Sequence, residues 1–150
     1  MLSLAIALTA AAIAAPLPAW AQTGSENLAP DTDETLQSSA AVVKLTELEK
    51  QETTVKLFGT AGGDPAMNGL YTYIAFFGSP ADGWSVFKIG DFLDYSVVAE
   101  APGQVTLELN ESTMDDASGE IGSRTRRVKL SWKPGADDAP PASVLVTPLP

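Results

Sequence analysis

From residue 42 onward, apolar and polar positions alternate over short stretches, the signature of half-buried strands. Residues 53–58 put Val55 and Leu57 on one face and Thr54 and Lys56 on the other. Trp84, Val86 and Lys88 alternate with Ser85, Phe87 and Ile89, and Val105, Leu107 and Leu109 with Thr106, Glu108 and Asn110. Val128, Leu130 and Trp132 oppose Arg127, Lys129 and Ser131 in the same way. Residues 70–77 are apolar or aromatic at nearly every position, as in a strand covered on both faces. Residues 92–99 and 143–147 complete the set. Residues 42–49 fit a helical stripe through Ala41, Leu45 and Leu48, and also fit period two through Val43 and Leu45. Their β-branched content and the polar run 49–52 favour a hairpin with the strand that follows.

Turn chemistry separates these segments. Gly62-Gly63-Asp64-Pro65 and Asn68-Gly69 mark one loop, and residues 78–83 another. Gly90-Asp91 has the residues of a tight two-residue turn, and Pro102-Gly103 those of a type II turn. Residues 70–110 therefore read as a four-stranded antiparallel meander. Residues 111–123 are polar and read as a long loop, and Pro148 and Pro150 should end the last strand. The expected class is all-β: a small antiparallel β-sandwich or closed barrel of seven or eight short strands.

The N-terminal segment departs from this pattern. Residues 2–15 are apolar except for Ser3 and Thr9, and the run is shorter than the ~20 residues that span a bilayer. Pro16 and Pro18 follow, then Ala19-Trp20-Ala21, with small residues where signal peptidase requires them. No Lys or Arg precedes the apolar run, which departs from the usual signal pattern. Residues 1–21 are expected to be a cleaved bacterial export signal, giving a periplasmic or secreted product with no transmembrane segment. Residues 22–40 hold Glu26, Asp31, Asp33 and Glu34 with no basic residue and little to bury, and are expected to be a disordered acidic linker. Residues 41–150 form the single β domain.

Composition narrows the chemistry. The chain has no Cys and no His, which removes disulfides, thiol nucleophiles, His-assisted catalysis and His- or Cys-bound metals. A formal charge of −10 argues against a nucleic-acid partner. All aromatics after residue 22 except Trp132 fall between Phe58 and Tyr95. Most are expected in the core. Trp84, Tyr71 and Tyr73 are the candidates for an exposed platform that stacks on sugars or anchors a protein. Arg124, Arg126, Arg127 and Lys129 concentrate positive charge. Period two sends Arg124 and Arg126 to one face and Arg127 and Lys129 to the other, either paired with neighbouring acids or forming an anion-binding edge. Asp115, Asp116 and Glu120 offer oxygen ligands that a calcium ion could use, although the spacing is not that of an EF-hand, and a solvated loop is the favoured reading.

The sequence thus points to a non-catalytic, cofactor-free exported module that binds an envelope protein or a glycan, most simply as a monomer. Two alternatives belong to other classes: a small hydrolase using a carboxylate pair such as Asp91 and Asp94, and a carrier with an apolar barrel interior. When the chain is exported by a Gram-negative host, its intact mass should correspond to a protein beginning at Gln22. A periplasmic product that retains residues 1–21 would overturn the export reading.

Overall fold

A computed structural model describes residues 28–62 and 69–150. Residues 1–21, expected to be an export signal, residues 22–27 of the expected linker and residues 63–68 lie outside the described residues. The chain divides at residue 30, and residues 31–150 make one compact unit. Within the acidic stretch expected to lack structure there is one short helix, α1 (Glu34–Ser39). Its start is set by Asp33, whose carboxylate accepts the N–H groups of Thr35 and Leu36 at 2.8 and 3.1 Å.

Eight strands follow: β1 (Val42–Leu48), β2 (Val55–Ala61), β3 (Leu70–Phe77), β4 (Trp84–Phe92), β5 (Asp94–Ala101), β6 (Gln104–Met114), β7 (Ile121–Trp132) and β8 (Val144–Leu149). They form two antiparallel four-stranded sheets, ordered β1-β2-β3-β4 and β5-β6-β7-β8. The architecture is an all-β sandwich and not a closed barrel. Residues 42–48 pair with β2 as a hairpin, the favoured of the two sequence readings.

The inner faces carry the residues that period two selects. Val55 and Leu57 from β2, Ile74 and Phe76 from β3, Leu107 and Leu109 from β6, and Val128 and Leu130 from β7 are buried. Phe92 and Tyr95 join them from either side of the crossing between sheets. Trp132 and Phe87 meet Phe76 edge-on, with ring centroids 5.1 and 5.8 Å away.

The expected meander breaks between β4 and β5. Gly90-Asp91 is not a turn; both residues lie inside β4. A Cβ on Gly90 would sit 2.6 Å from the Phe92 ring, so the glycine makes room for an aromatic that folds back over the strand. The chain then leaves the first sheet at Leu93, whose N–H donates to the Asn110 carbonyl at 2.8 Å and starts the second. The loop expected over residues 111–123 is also largely strand. β6 and β7 continue as a two-stranded arm beyond the ends of β5 and β8, and only residues 115–120 turn. Pro148 does not stop β8 but lies within it, which an edge strand tolerates.

Three of the four edge strands carry a bulge. Val43 in β1, Ile89 in β4 and Val98 in β5 are each an extra residue in the pairing with the neighbouring strand. The ladders β2–β3 and β6–β7 run without interruption.

Side chains tie the two sheets together at their rims. The Glu100 carboxylate of β5 accepts the Lys50 N–H at 2.6 Å, the Glu49 N–H at 3.2 Å and the Gln51 amide at 2.9 Å. Burial pushes this carboxyl up, but those donors outweigh it and hold the group below its ordinary value. Lys44 of β1 reaches across to the Asp94 carboxylate and the Tyr95 carbonyl. Burial raises the pKa of the Tyr95 hydroxyl, which sits 3.5 Å from the Thr46 hydroxyl.

Two buried side-chain oxygens have no partner among the described residues, the Thr72 hydroxyl and the Asn110 Oδ1. The Thr72 hydroxyl is fully enclosed on the core face of β3, where glycines Gly59 and Gly90 are its neighbours across the sheet. Thr72→Val and Phe76→Ala should therefore move stability in opposite directions. The first removes an unsatisfied hydroxyl with little change of shape and should stabilise by about 1 kcal/mol. The second leaves a cavity and should cost about 3–5 kcal/mol, a large part of the roughly 5–15 kcal/mol that holds a small domain. Urea unfolding curves of the two variants check both signs.

Candidate functional site

The outer face of the first sheet is built from alternate positions whose neighbours point into the core. Cross-strand register places its residues in rows. Thr60, Tyr71 and Asp91 form one row, and Leu45, Phe58, Tyr73 and Lys88 the next. Glu47, Lys56, Ala75 and Val86 form the third, and Phe77 and Trp84 the last. Trp84, Tyr71 and Tyr73, singled out from the sequence, thus lie on one face. Trp84 is 43% exposed, Val86 51% and Leu45 56%, while the Phe58, Tyr71, Tyr73 and Phe77 rings are half-buried.

The rings on this face already have partners. Phe58 and Tyr73 stack at 5.0 Å with planes 18° apart, and Phe77 and Trp84 lie 5.2 Å apart. The Lys56 ammonium is 5.3 Å from the Trp84 ring centre and 3.0 Å from the Glu47 carboxylate. The Lys88 ammonium is 4.5 Å from the Tyr71 ring centre and 2.7 Å from Asp91. The hydrogen bond from Lys88 to Asp91 raises its pKa. Each lysine therefore sits between a carboxylate and an aromatic, and the face is electrically balanced. Exposed cation–π contacts of this kind contribute about 0.5–1 kcal/mol each. Lys56, Lys88, Glu47, Leu45, Phe58, Phe77 and Val86 share this face but were not among the candidate site residues. The signal for them is cross-strand register, which period two alone does not supply.

The basic run is distributed as period two requires. Arg124 and Arg126 lie on the inner side of the β6–β7 arm, and Arg127 and Lys129 on the outer face of the second sheet. Glu111 takes both of the first pair, Arg124 Nε at 3.1 Å and Arg126 Nε at 2.6 Å. Arg126 also lies over the Phe92 ring, 5.9 Å from its centre, and so closes one end of the core. Arg127 donates to Glu108 through Nε at 3.1 Å and Nη2 at 3.0 Å. Lys129 lies opposite Thr106 and Thr147. The arginines are committed to cross-strand pairs, so the run does not present a field of free positive charge.

The acidic residues at the tip of the arm are likewise engaged locally. Asp115 accepts the Ser118 N–H at 2.8 Å, the Ser118 hydroxyl at 2.9 Å and the Ala117 N–H at 3.0 Å, and these bonds lower its pKa. Asp115, Asp116 and Glu120 are not gathered into a ligand set. Among the described residues no group of three or more acids is placed to hold a metal ion. Asp91 and Asp94 are not brought together as a catalytic pair either. The first is held by Lys88 on the outer face and the second by Lys44 at the opposite edge of the sheet.

No family model matches the chain, and neither does any curated protein or solved structure.

The arm yields a pH prediction. Burial raises the Glu111 carboxyl, but Arg126 and Arg124 outweigh it and hold the group below its ordinary value of 4.5. A depressed folded-state pKa stabilises the fold above the unfolded-state value, and that contribution is lost as pH falls through the folded-state value. Glu111→Gln should lower the melting temperature at neutral pH. The gap to the parent chain should shrink steadily as the pH drops below about 4.5. A gap that stays constant with pH would mean that Glu111 contributes no ionic stabilisation.

Proposed function

We propose that this chain is an exported, non-catalytic β-sandwich that acts as an interaction module in the bacterial envelope, docking a protein partner on the outer face of its first sheet. The observation that carries this reading is the difference between the two outer faces. The first sheet presents Trp84, Val86, Leu45 and the edges of four further aromatic rings. The second sheet's outer face has Thr106, Glu108, Arg127 and Lys129 at its centre and carries no aromatic ring there, with Leu145 exposed at the β8 edge. Exposed apolar and aromatic side chains gathered on one face of a small acidic domain are a common mark of a docking surface. Trp and Tyr are the residues that most often dominate binding energy there.

The choice of a protein over a glycan at this face follows from the rings. Sugar stacking uses an open ring face. Here Phe58 and Tyr73 cover one another, and Lys56 and Lys88 lie over Trp84 and Tyr71. These contacts occupy faces of the rings, while Leu45 and Val86 offer exposed aliphatic carbon, which suits apolar side chains of a partner. The sheet measures roughly 15 Å across its strands and 20 Å along them. That footprint is well below the ~800 Å² a side of a standard interface, so the complex is a transient one. Export to the periplasm or beyond is supported by the apolar run of residues 2–15 and the Ala19-Trp20-Ala21 sequence. Among the described residues no helix is long and apolar enough to cross a membrane.

Photo-crosslinking in the native envelope tests the docking face. A photoreactive side chain at Val86 should give a discrete cross-linked protein, and the same group at Thr106 should give none. Adding Trp84→Ala should abolish the Val86 product while leaving the melting temperature within a few degrees of the parent. Equal labelling from both positions would overturn the reading.

A further inference from the structure

A second site lies at the end of the sandwich where the β1–β2 turn, the β5–β6 turn and the loop after β7 converge. Together they enclose a cleft of about 290 Å³, near the lower end of the ~300–1,000 Å³ usual for small ligands. Glu52 and Thr53 line one side, Pro102 another, and Trp132, Lys133 and Asp138 the third. Loops gathered at one end of a rigid sandwich are where such folds commonly place recognition.

Hydrogen bonds hold the turns around this cleft, while the Glu52, Lys133 and Asp138 side chains are exposed to solvent. Gln51 donates to Glu100 at 2.9 Å and to the Ala101 carbonyl at 3.0 Å, and it accepts the Gly103 N–H at 2.9 Å. One amide side chain thereby locks a turn of the first sheet to a turn of the second. On the far side, Asp137 and Asp138 both hold positive φ, 54° and 59°, a conformation that Asp tolerates but most residues avoid. Gly135 N–H donates to Ala139 O at 2.8 Å and secures that loop. Trp132 is anchored edge-on against Phe76. Backbone strain retained beside a cleft is characteristic of functional sites.

The lining offers groups of both kinds around an indole. Glu52 and Asp138 accept hydrogen bonds, Lys133 donates, and Thr53 does either. Among the described residues, Glu52, Lys133 and Asp138 spend their charges on no ion pair. An anionic ligand would meet two carboxylates, and an organic cation would meet the lysine. A neutral polyol uses all of them, since each hydroxyl both donates and accepts.

We propose that this cleft binds a single residue of a neutral saccharide, its C–H face against Trp132 and its hydroxyls held by Glu52, Asp138 and Lys133. The site is independent of the docking face of the first sheet, and the two stand or fall separately.

The chain's three tryptophans are Trp20, Trp84 and Trp132, so a Trp20→Phe/Trp84→Phe variant leaves Trp132 as the reporter. This full-length variant is titrated with neutral trisaccharides of glucose, mannose, galactose and N-acetylglucosamine, and with glucuronate and tetramethylammonium as charged controls. At least one neutral trisaccharide should shift the emission saturably. Glu52→Gln and Asp138→Asn should each weaken that binding about tenfold with an unchanged melting temperature. Asn retains the positive φ at 138, so this variant separates ligand contact from loop strain. Lys129→Ala, away from the cleft, should leave the affinity unchanged. The proposal is overturned if no neutral sugar saturates by about 10 mM. It is equally overturned if only a charged control binds, or if binding survives both carboxylate substitutions.

Discussion

The two sheets share no backbone ladder, and nearly everything else in the domain follows from that. Each sheet is made of four consecutive strands, so the chain passes from one to the other once, at Leu93. Relative placement of the sheets is therefore left to side chains. Phe76, Tyr95 and the aliphatic residues between them fill the interior, and burial of this kind contributes roughly 25 cal/mol for each Å² of apolar surface removed from water. That force has no direction. Direction comes from polar contacts at the rims, where Glu100 grips the β1–β2 turn and Lys44 reaches the start of β5. The cleft beside Trp132 has one wall on the turn that the first of these contacts holds.

Charge is handled in an equally local way. With 9 basic against 19 acidic residues, a cation in this chain is seldom far from a carboxylate. Lys44, Lys56, Lys88 and Arg126 each lie between an acid and an aromatic ring. The arrangement removes net charge from the apolar face without removing polarity. It also pairs the arginines of β7 with the carboxylates of β6.

Much of this was legible in the sequence because strands with one wet face must alternate. Val128, Leu130 and Trp132 were placed by that rule alone, whereas the common face of Tyr71, Tyr73 and Trp84 follows from the β3–β4 register. Three features escaped it. Gly90-Asp91 has turn composition, but the glycine serves a ring two residues later, which no dipeptide rule encodes. The β6–β7 arm is covered by no other sheet, so its strands have no apolar side to betray them, and polar residues there read as loop. Glu100 holds a turn fifty positions away, and both proposed binding regions depend on such pairings across strands. Period two gives the side of a sheet on which a residue lies. It does not give the neighbour it will meet there.

The bulges at Val43, Ile89 and Val98 and the proline at 148 together interrupt the outer strand of both sheets on both sides. A foreign strand laid against any of these borders would lose register within a few residues, and at β8 would meet a position with no N–H to offer. Misplaced copies therefore meet no continuous ladder to extend. Recognition is left to the broad surfaces and the loops, where side chains and not backbone decide what sticks.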